Sequence, residues 1–306
     1  MFLRKVQALT LILVLLLATG IVGCSGGSPT PTTSSPATTN PPVTTTAPPT
    51  TTPPPTTTPP PATTPPPATT TPAGLINAIL NASNAITTYT FNATATTTTN
   101  VAGFSIVAVS ITDGQIDLTA QKAYLNTGVT ATGIETRVET YLVDNWTYIK
   151  YPAFAPPGFS NEAWYKIAMT AGEWQEAWGN NSQSGQNNAL FTNATVTIMG
   201  SETVNGIDCY KINLIPDKAS FLAYLQAQGT TDGEGVTNVE QALQNITFTG
   251  WVAKNTSYMI KTEMSLTMTI EGVAVQIQSV STITNINQPV NITLPAAAVN
   301  ATVITG

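Results

Sequence analysis

From Met264 to Val280 apolar and polar residues alternate almost without a break: M-S-L-T-M-T-I, then E-G, then V-A-V-Q-I-Q. Period two predicts a pair of strands, and Glu271-Gly272 suits a two-residue turn between them. Closing that turn sets Ile270 opposite Val273, Met268 opposite Val275 and Leu266 opposite Ile277. The reverse face then pairs Thr269 with Ala274 and Thr267 with Gln276, so one face is oily and the other wet. The same arithmetic at Y-L-V-D-N-W-T-Y-I-K turns the chain at Asp144-Asn145. It places Val143 against Trp146, Tyr141 against Tyr148 and Glu139 against Lys150. Aromatic and opposite-charge pairs coincide in this one register. A third hairpin closes at Asn205-Gly206, with Tyr210, Ile212 and Leu214 on one face and Cys209 and Lys211 on the other. A fourth turn falls near Lys254-Asn255.

Helical spacing is rarer. Gly74 to Ile86 places Leu75, Ile79, Ala82 and Ile86 along one stripe. Asp217 is suited to cap a helix running to Gln228 and ended by Gly229, and shorter helices are expected over Gly172–Trp178 and Gly235–Gln244. Strands thus dominate residues 73–306, a length sufficient for one domain with its own core. The expected class is α+β: a large curved antiparallel sheet with a few helices packed on its concave side.

The first residues follow another logic. Arg4 and Lys5 precede an apolar run from Val6 to Val22, which ends in Ile21-Val22-Gly23-Cys24. A basic start, an apolar middle and a small-residue exit describe a secretory signal. An uncleaved membrane anchor is the alternative, because the run is nearly long enough to span a bilayer. From Pro29 to Pro72 the chain is almost wholly Thr and Pro, which keeps it extended and gives it nothing to bury. At about 3.1 Å per residue such a stalk reaches roughly 130 Å when fully stretched. The expected organisation is a signal over 1–23, a tether over 24–72 and a domain over 73–306.

Composition narrows the chemistry. Arg4 and Lys5 leave with the signal, so the 16 acidic residues outnumber the remaining Lys and Arg about two to one. No basic cluster exists to grip a phosphate backbone or an anionic bilayer, and no nucleic-acid partner is expected. Histidine is absent, which removes the usual general base, metal ligand and neutral-pH switch. With Cys24 occupied, Cys209 would be a lone thiol with no disulfide partner. Lys211 shares its strand face and could lower the thiol pKa, but a plain buried strand cysteine is the simpler reading.

Ile21-Val22-Gly23-Cys24 resembles the lipobox of bacterial lipoproteins. That resemblance implies cleavage before Cys24, lipidation of its thiol, and an extracytoplasmic chain attached to the cell membrane or outer membrane through the lipid. The opening helix, T-Y-T-F-N-A-T-A-T-T-T, the successive hairpins and the closing I-T-N-I-N-Q-P-V-N-I-T-L-P resemble the LolA-like lipoproteins, most closely the LppX/LprG-related branch. Over residues 73 to about 297 this implies a half-barrel whose concave apolar cavity carries lipids or lipidated molecules, with no enzymatic activity and no cofactor.

The residues are compatible with such a role. Wrapping an acyl chain of about 16 carbons gains on the order of 12 kcal/mol relative to water, but close to nothing relative to a bilayer. A carrier therefore needs a groove as dry as the membrane. Leu266, Met268, Ile270, Val273, Val275 and Ile277 could line one, or could simply meet the helices in a filled core. Trp174 and Trp178, four apart on one helix face, could form a lid over that groove, or a sugar-stacking platform, or could pack on the sheet. A stalked surface or adhesion module with a filled core is the other reading of the whole chain.

Further candidates are weaker. Glu173 and Glu176 lie three apart on one short helix, so they cannot flank a glycosidic bond. Asp232, Glu234 and Glu240 lack calcium-loop spacing, and no metal site is expected. No phosphate loop, dinucleotide fingerprint or nucleophile elbow is present. N-x-S/T sequons begin at Asn81, Asn92, Asn145, Asn180, Asn193, Asn245, Asn255, Asn291 and Asn300, as weak evidence for glycosylation.

Overall fold

Thr71 caps the first helix, α1 (Pro72–Ser83), its hydroxyl accepting from the Gly74 N–H at 3.2 Å. Pro72 fits the first helical position, where its missing N–H costs no helical hydrogen bond. The helix therefore takes in the last residue that composition assigned to the tether. The computed structural model describes residues 71–101, 103–152, 160–180, 182–221, 243–270 and 273–304. The signal, Cys24, the loop with Asp232, Glu234 and Glu240, and the Glu271-Gly272 turn lie outside these residues. So does the expected helix beyond Phe221. Its start is described: Asp217 accepts from the Ser220 N–H at 2.9 Å, and its carboxyl is held below the usual range by that contact and the Ser220 hydroxyl.

After α1 the chain forms β1 (Thr88–Val101), β2 (Phe104–Asp117), β3 (Lys122–Ala131), β4 (Ile134–Val143), β5 (Trp146–Lys150) and β6 (Trp164–Ala168). Two helices follow, α2 (Ala171–Asn180) and α3 (Gln183–Phe191). Then come β7 (Thr195–Val204), β8 (Ile207–Ile215), β9 (Leu243–Ala253), β10 (Met259–Ile270), β11 (Val273–Thr284), the short α4 (Ala296–Val299) and β12 (Thr302–Ile304). All the strands among the described residues join one 12-stranded sheet in the order β12-β6-β5-β4-β3-β2-β1-β11-β10-β9-β8-β7. The sheet is open and large, and with its few helices it makes an α+β half-barrel. Two expectations change. β12 pairs with β6 in parallel, so the sheet is mixed rather than wholly antiparallel. Gln244 belongs to β9 and not to a helix.

The hairpin registers agree with the pairings read from alternation. Ile270 pairs with Val273, Met268 with Val275 and Leu266 with Ile277. Val143 pairs with Trp146 and Tyr141 with Tyr148, while Lys150 Nζ reaches Glu139 Oε1 at 3.5 Å. Asp144 and Asn145 have φ of 52° and 63°, and Asn205 and Gly206 have 50° and 80°. Both pairs adopt the left-handed geometry that matches a two-residue turn to strand twist. At Lys254-Asn255 the loop is longer, and Ala253 N–H reaches Tyr258 O at 2.9 Å.

Helices α1, α2 and α3 cover one face of the sheet, called here the inner face. On it Leu75, Ile79 and Phe191 of α1 and α3 pack with Ile212, Phe248, Leu266 and Ile277 of β8 to β11. Trp174, Ala177 and Trp178 of α2 pack with Tyr89, Ile116, Leu125 and Leu142 of β1 to β4. The outer face is not uniformly wet. The C-terminal segment lays Ile292, Ala298 and Ala301 over Tyr141, Val143 and Tyr148. Cys209 is buried beside Trp251, Ala253 and Ile260, as a strand cysteine of the outer face.

Candidate ligand-binding face

The residues nominated by strand alternation and by helical spacing fall into two separate places. Leu266, Met268, Val273, Val275 and Ile277 are all buried in the cluster beneath α1 and α3. Ile270 continues that ladder by pairing with Val273. Trp174 and Trp178 stack edge to face at 5.5 Å between centroids, but within the other cluster, beneath α2. They cover the β1–β4 half and do not meet the Leu266 group in one hydrophobic cluster.

Between the two clusters the inner face changes character. β1 presents Ala93, Ala95, Thr97 and Thr99 there, and β2 presents Ala108, Ser110 and Thr112. These side chains are small, and they are buried: Thr97, Ser110 and Thr112 show no exposed surface and Thr99 shows 1%. Ala93, Ala95, Ala108 and the adjoining Val129 of β3 are also buried, yet neither large cluster includes them. Register fixes the arrangement. Thr97 lies between Ile277 and Ala108, Thr99 between Val275 and Ile106, and Ser110 between Ala95 and Val129. Thr97 and Ser110 are diagonal neighbours, with Cβ atoms roughly 5–8 Å apart.

The polar atoms of this strip are unequally served. Thr112 and Thr127 hydroxyls bond to each other at 3.0 Å. The hydroxyls of Thr97, Thr99 and Ser110 have no hydrogen-bond partner among the described residues, and neither does Trp178 Nε1 on the covering helix. Trp174 Nε1, by contrast, donates to Gln121 Oε1 at 2.9 Å. A buried hydroxyl without a partner costs about 1–3 kcal/mol, so three in adjacent register positions need an account.

Electrostatically this face is silent. In β1 to β6 and β9 to β11 every Lys, Arg, Asp and Glu stands at an outer-face register position. Tyr89, on the inner face, has its phenol pushed up to about 12 by burial, against a weaker opposing hydrogen bond from Gln183. It stays neutral across the physiological range. A face without charge can be dehydrated cheaply, which suits apolar or uncharged ligands.

Elsewhere the chemistry is structural. Glu173 caps α2 through Thr170. Burial pushes the Cys209 thiol up, away from nucleophilic chemistry. No cluster of three or more His, Cys, Asp or Glu suited to a metal ion occurs among the described residues. On the outer face a groove of about 260 Å³ is lined by Thr90, Asn92, Asp113, Gln115, Tyr124 and Thr284. Four of its polar side chains pair with one another: Asn92 Nδ2 donates to Asp113 Oδ1 and the Thr90 and Thr284 hydroxyls pair, each at 2.8 Å. No described helix is long and apolar enough to cross a membrane.

Sequence reasoning missed the strip. A-T-A-T-T-T-T in β1 shows no apolar alternation, and the available signal was small residues continuing across both faces of a long strand.

No family model and no curated protein sequence matches this chain. Solved structures similar to it include the Mycobacterium tuberculosis lipoprotein LppX, at 14% identity and a TM-score of 0.40, covering 73% of this chain and 100% of that one. LprF from Mycobacterium bovis is 12% identical with a TM-score of 0.42, over 72% of this chain and 95% of its own. A putative outer membrane lipoprotein-sorting protein domain from Vibrio parahaemolyticus is 9% identical with a TM-score of 0.24, over 66% and 87% of the two chains. The group that the sequence resembles is therefore found among the structural neighbours. At these identities and TM-scores no residue role passes from them to this chain.

Proposed function

We propose that this chain is a membrane-tethered, extracytoplasmic, non-enzymatic lipoprotein that holds a lipid or lipidated molecule against the inner face of its half-barrel. One observation carries the reading. Between two well-filled clusters lies a strip of small side chains, uncharged, buried, and belonging to neither. A core built only for packing tends to fill such a strip with large side chains, because interiors reach near-crystalline density. The apolar margins of the strip, Val275 and Ile277 on one side and Leu125 with Trp178 on the other, would receive acyl chains. In this reading the Leu266 ladder forms a wall rather than the floor. The signal-like N-terminus supports the tether: lipid on Cys24 would anchor the chain and residues 29–72 would set its reach.

A stalked structural module has one observation in its favour, since Leu266, Met268 and Ile277 already pack against α1 and α3. The two readings separate in native mass spectrometry of the full chain, purified from membranes in mild detergent. A carrier shows discrete lipid-mass adducts that organic extraction removes, while the covalent anchor stays on the chain. Adduct-free protein from a host with ordinary acyl lipids would reject the carrier and leave the stalked module. Fatty-acid labelling that vanishes in Cys24→Ala supports the anchor, and labelling that persists in that variant removes it.

A further inference from the structure

We infer that Thr97, Thr99 and Ser110 form a polar subsite that donates hydrogen bonds to the ester carbonyl oxygens of an uncharged, ester-linked lipid lying along the strip. The inference rests on the carrier reading and specifies the ligand for it. Three observations combine. The hydroxyls are at most 1% exposed and lack partners, so they are unserved by solvent as well as by described protein groups. They point to one face, Thr97 and Thr99 two residues apart on β1 and Ser110 diagonal to Thr97 on β2. Successive same-face positions on a strand lie about 7 Å apart, so the three atoms form a compact triangle and not a line of isolated groups.

Hydrocarbon alone would leave this triangle unsatisfied, and a buried donor facing methylenes keeps its full desolvation cost. Carbonyl oxygens would relieve it. An ionised phosphate or carboxylate would also accept, but no Lys or Arg stands on the inner face of β1 to β6 or β9 to β11 to balance its charge. Two ester carbonyls set a few bonds apart on a glycerol-like centre, with chains diverging toward the two apolar clusters, match three donors between two oily walls. Trp178 Nε1, a donor only, faces the same requirement at the margin beneath α2.

The test is a competition on the full chain in mild detergent. Equimolar dipalmitoylglycerol and dihexadecylglycerol differ only in whether each chain is joined through an ester carbonyl or an ether methylene, and native mass spectrometry resolves the two adducts. Wild type is expected to favour the ester lipid by about tenfold, the effect of two modest neutral hydrogen bonds. The combined Thr97→Val, Thr99→Val, Ser110→Ala variant keeps the volume and removes the donors. It should bind both lipids with the ratio fallen to near one. The single variants Thr99→Val and Ser110→Ala, each expected to lower the ratio by about threefold, provide the readout if the combined variant does not fold. Equal binding by wild type, or an undiminished preference in folded variants, overturns the subsite while leaving the carrier intact. Failure of wild type to bind either lipid overturns both.

Discussion

β11 and β1 are neighbours in one ladder, yet their inner faces follow different rules. Ile277 and Val275 on β11 are buried among large apolar side chains from α1, α3 and β8 to β10. Directly opposite, Thr97 and Thr99 on β1 are equally buried with neither bulk nor a hydrogen-bond partner. Low exposure is common to both, so burial alone does not separate a packed wall from a binding surface. The difference lies in the size of the buried side chains and in whether buried hydroxyls are partnered. On the inner face of β8 to β11 large apolar side chains pack against one another; along β1 and β2 the buried side chains are small, and the Thr97, Thr99 and Ser110 hydroxyls have no partner among the described residues.

The contrast breaks most sharply in stability. Leu266→Ala, in the filled half, should lower the unfolding free energy by about 2–5 kcal/mol, measured by urea titration, since the surrounding α1, α3 and β9 side chains can collapse only in part. A loss below about 1 kcal/mol would mean that this half is also loosely packed, and the distinction would fail.

A second prediction compares hydroxyls within the strip. Thr112→Val leaves the buried Thr127 hydroxyl without its 3.0 Å partner and should cost about 1–2 kcal/mol. Thr97→Val removes a hydroxyl that has no partner and should be neutral or stabilising by about 0.5–1 kcal/mol in lipid-free protein. Paired urea titrations decide it, and equal costs at the two positions would show that Thr97 is bonded after all.

Legibility in the sequence follows the same divide. Local pairing could be read at Asp144-Asn145 and Asn205-Gly206, where strict alternation met turn residues able to take positive φ. The oily ladder was readable too, because Leu266, Met268, Val273, Val275 and Ile277 share one phase of a period-two pattern, although alternation left open whether it lines a groove or fills a core. Non-local facts were not. Nothing in alternation says that β1 lies beside β11, since that contact depends on how a long intervening chain returns. Nor could Trp174 and Trp178 be assigned to the β1–β4 half; their spacing fixes a helix face but not what that face meets. The passage of Ile292, Ala298 and Ala301 over the outer face left no periodic trace, because the segment is mostly irregular. The hydroxyl strip stayed hidden for a chemical reason: threonine has high strand propensity and appears equally on wet and dry faces, so only tertiary burial separates Thr97 from Thr98.

The smallest expected effect concerns the cover over the β1–β4 half. Thr170 and Glu173 form a reciprocal cap at the start of α2. The Glu173 carboxylate accepts from the Thr170 N–H at 2.7 Å, and the Thr170 hydroxyl accepts from the Glu173 N–H at 3.2 Å. The Thr170 backbone and hydroxyl contacts hold the Glu173 carboxyl below its ordinary range. A depressed carboxyl pKa contributes stability that is present above the unfolded value, near 4.3, and lost as pH falls through the lower folded value. Because the carboxylate is largely exposed, solvent screening limits the effect to about 0.5 kcal/mol. α2 carries Trp174 and Trp178, so acid should loosen the cover without touching the filled wall. Hydrogen exchange, corrected for its intrinsic pH dependence, should show residues 171–178 opening about twofold more readily at pH 3.5 than at pH 6.5, with residues 264–270 unchanged. In Glu173→Gln the acceptor remains but does not titrate, and the difference should disappear. Equal acid sensitivity in both segments would mean that the two halves unfold as one unit, and that α2 is not an independently opening cover.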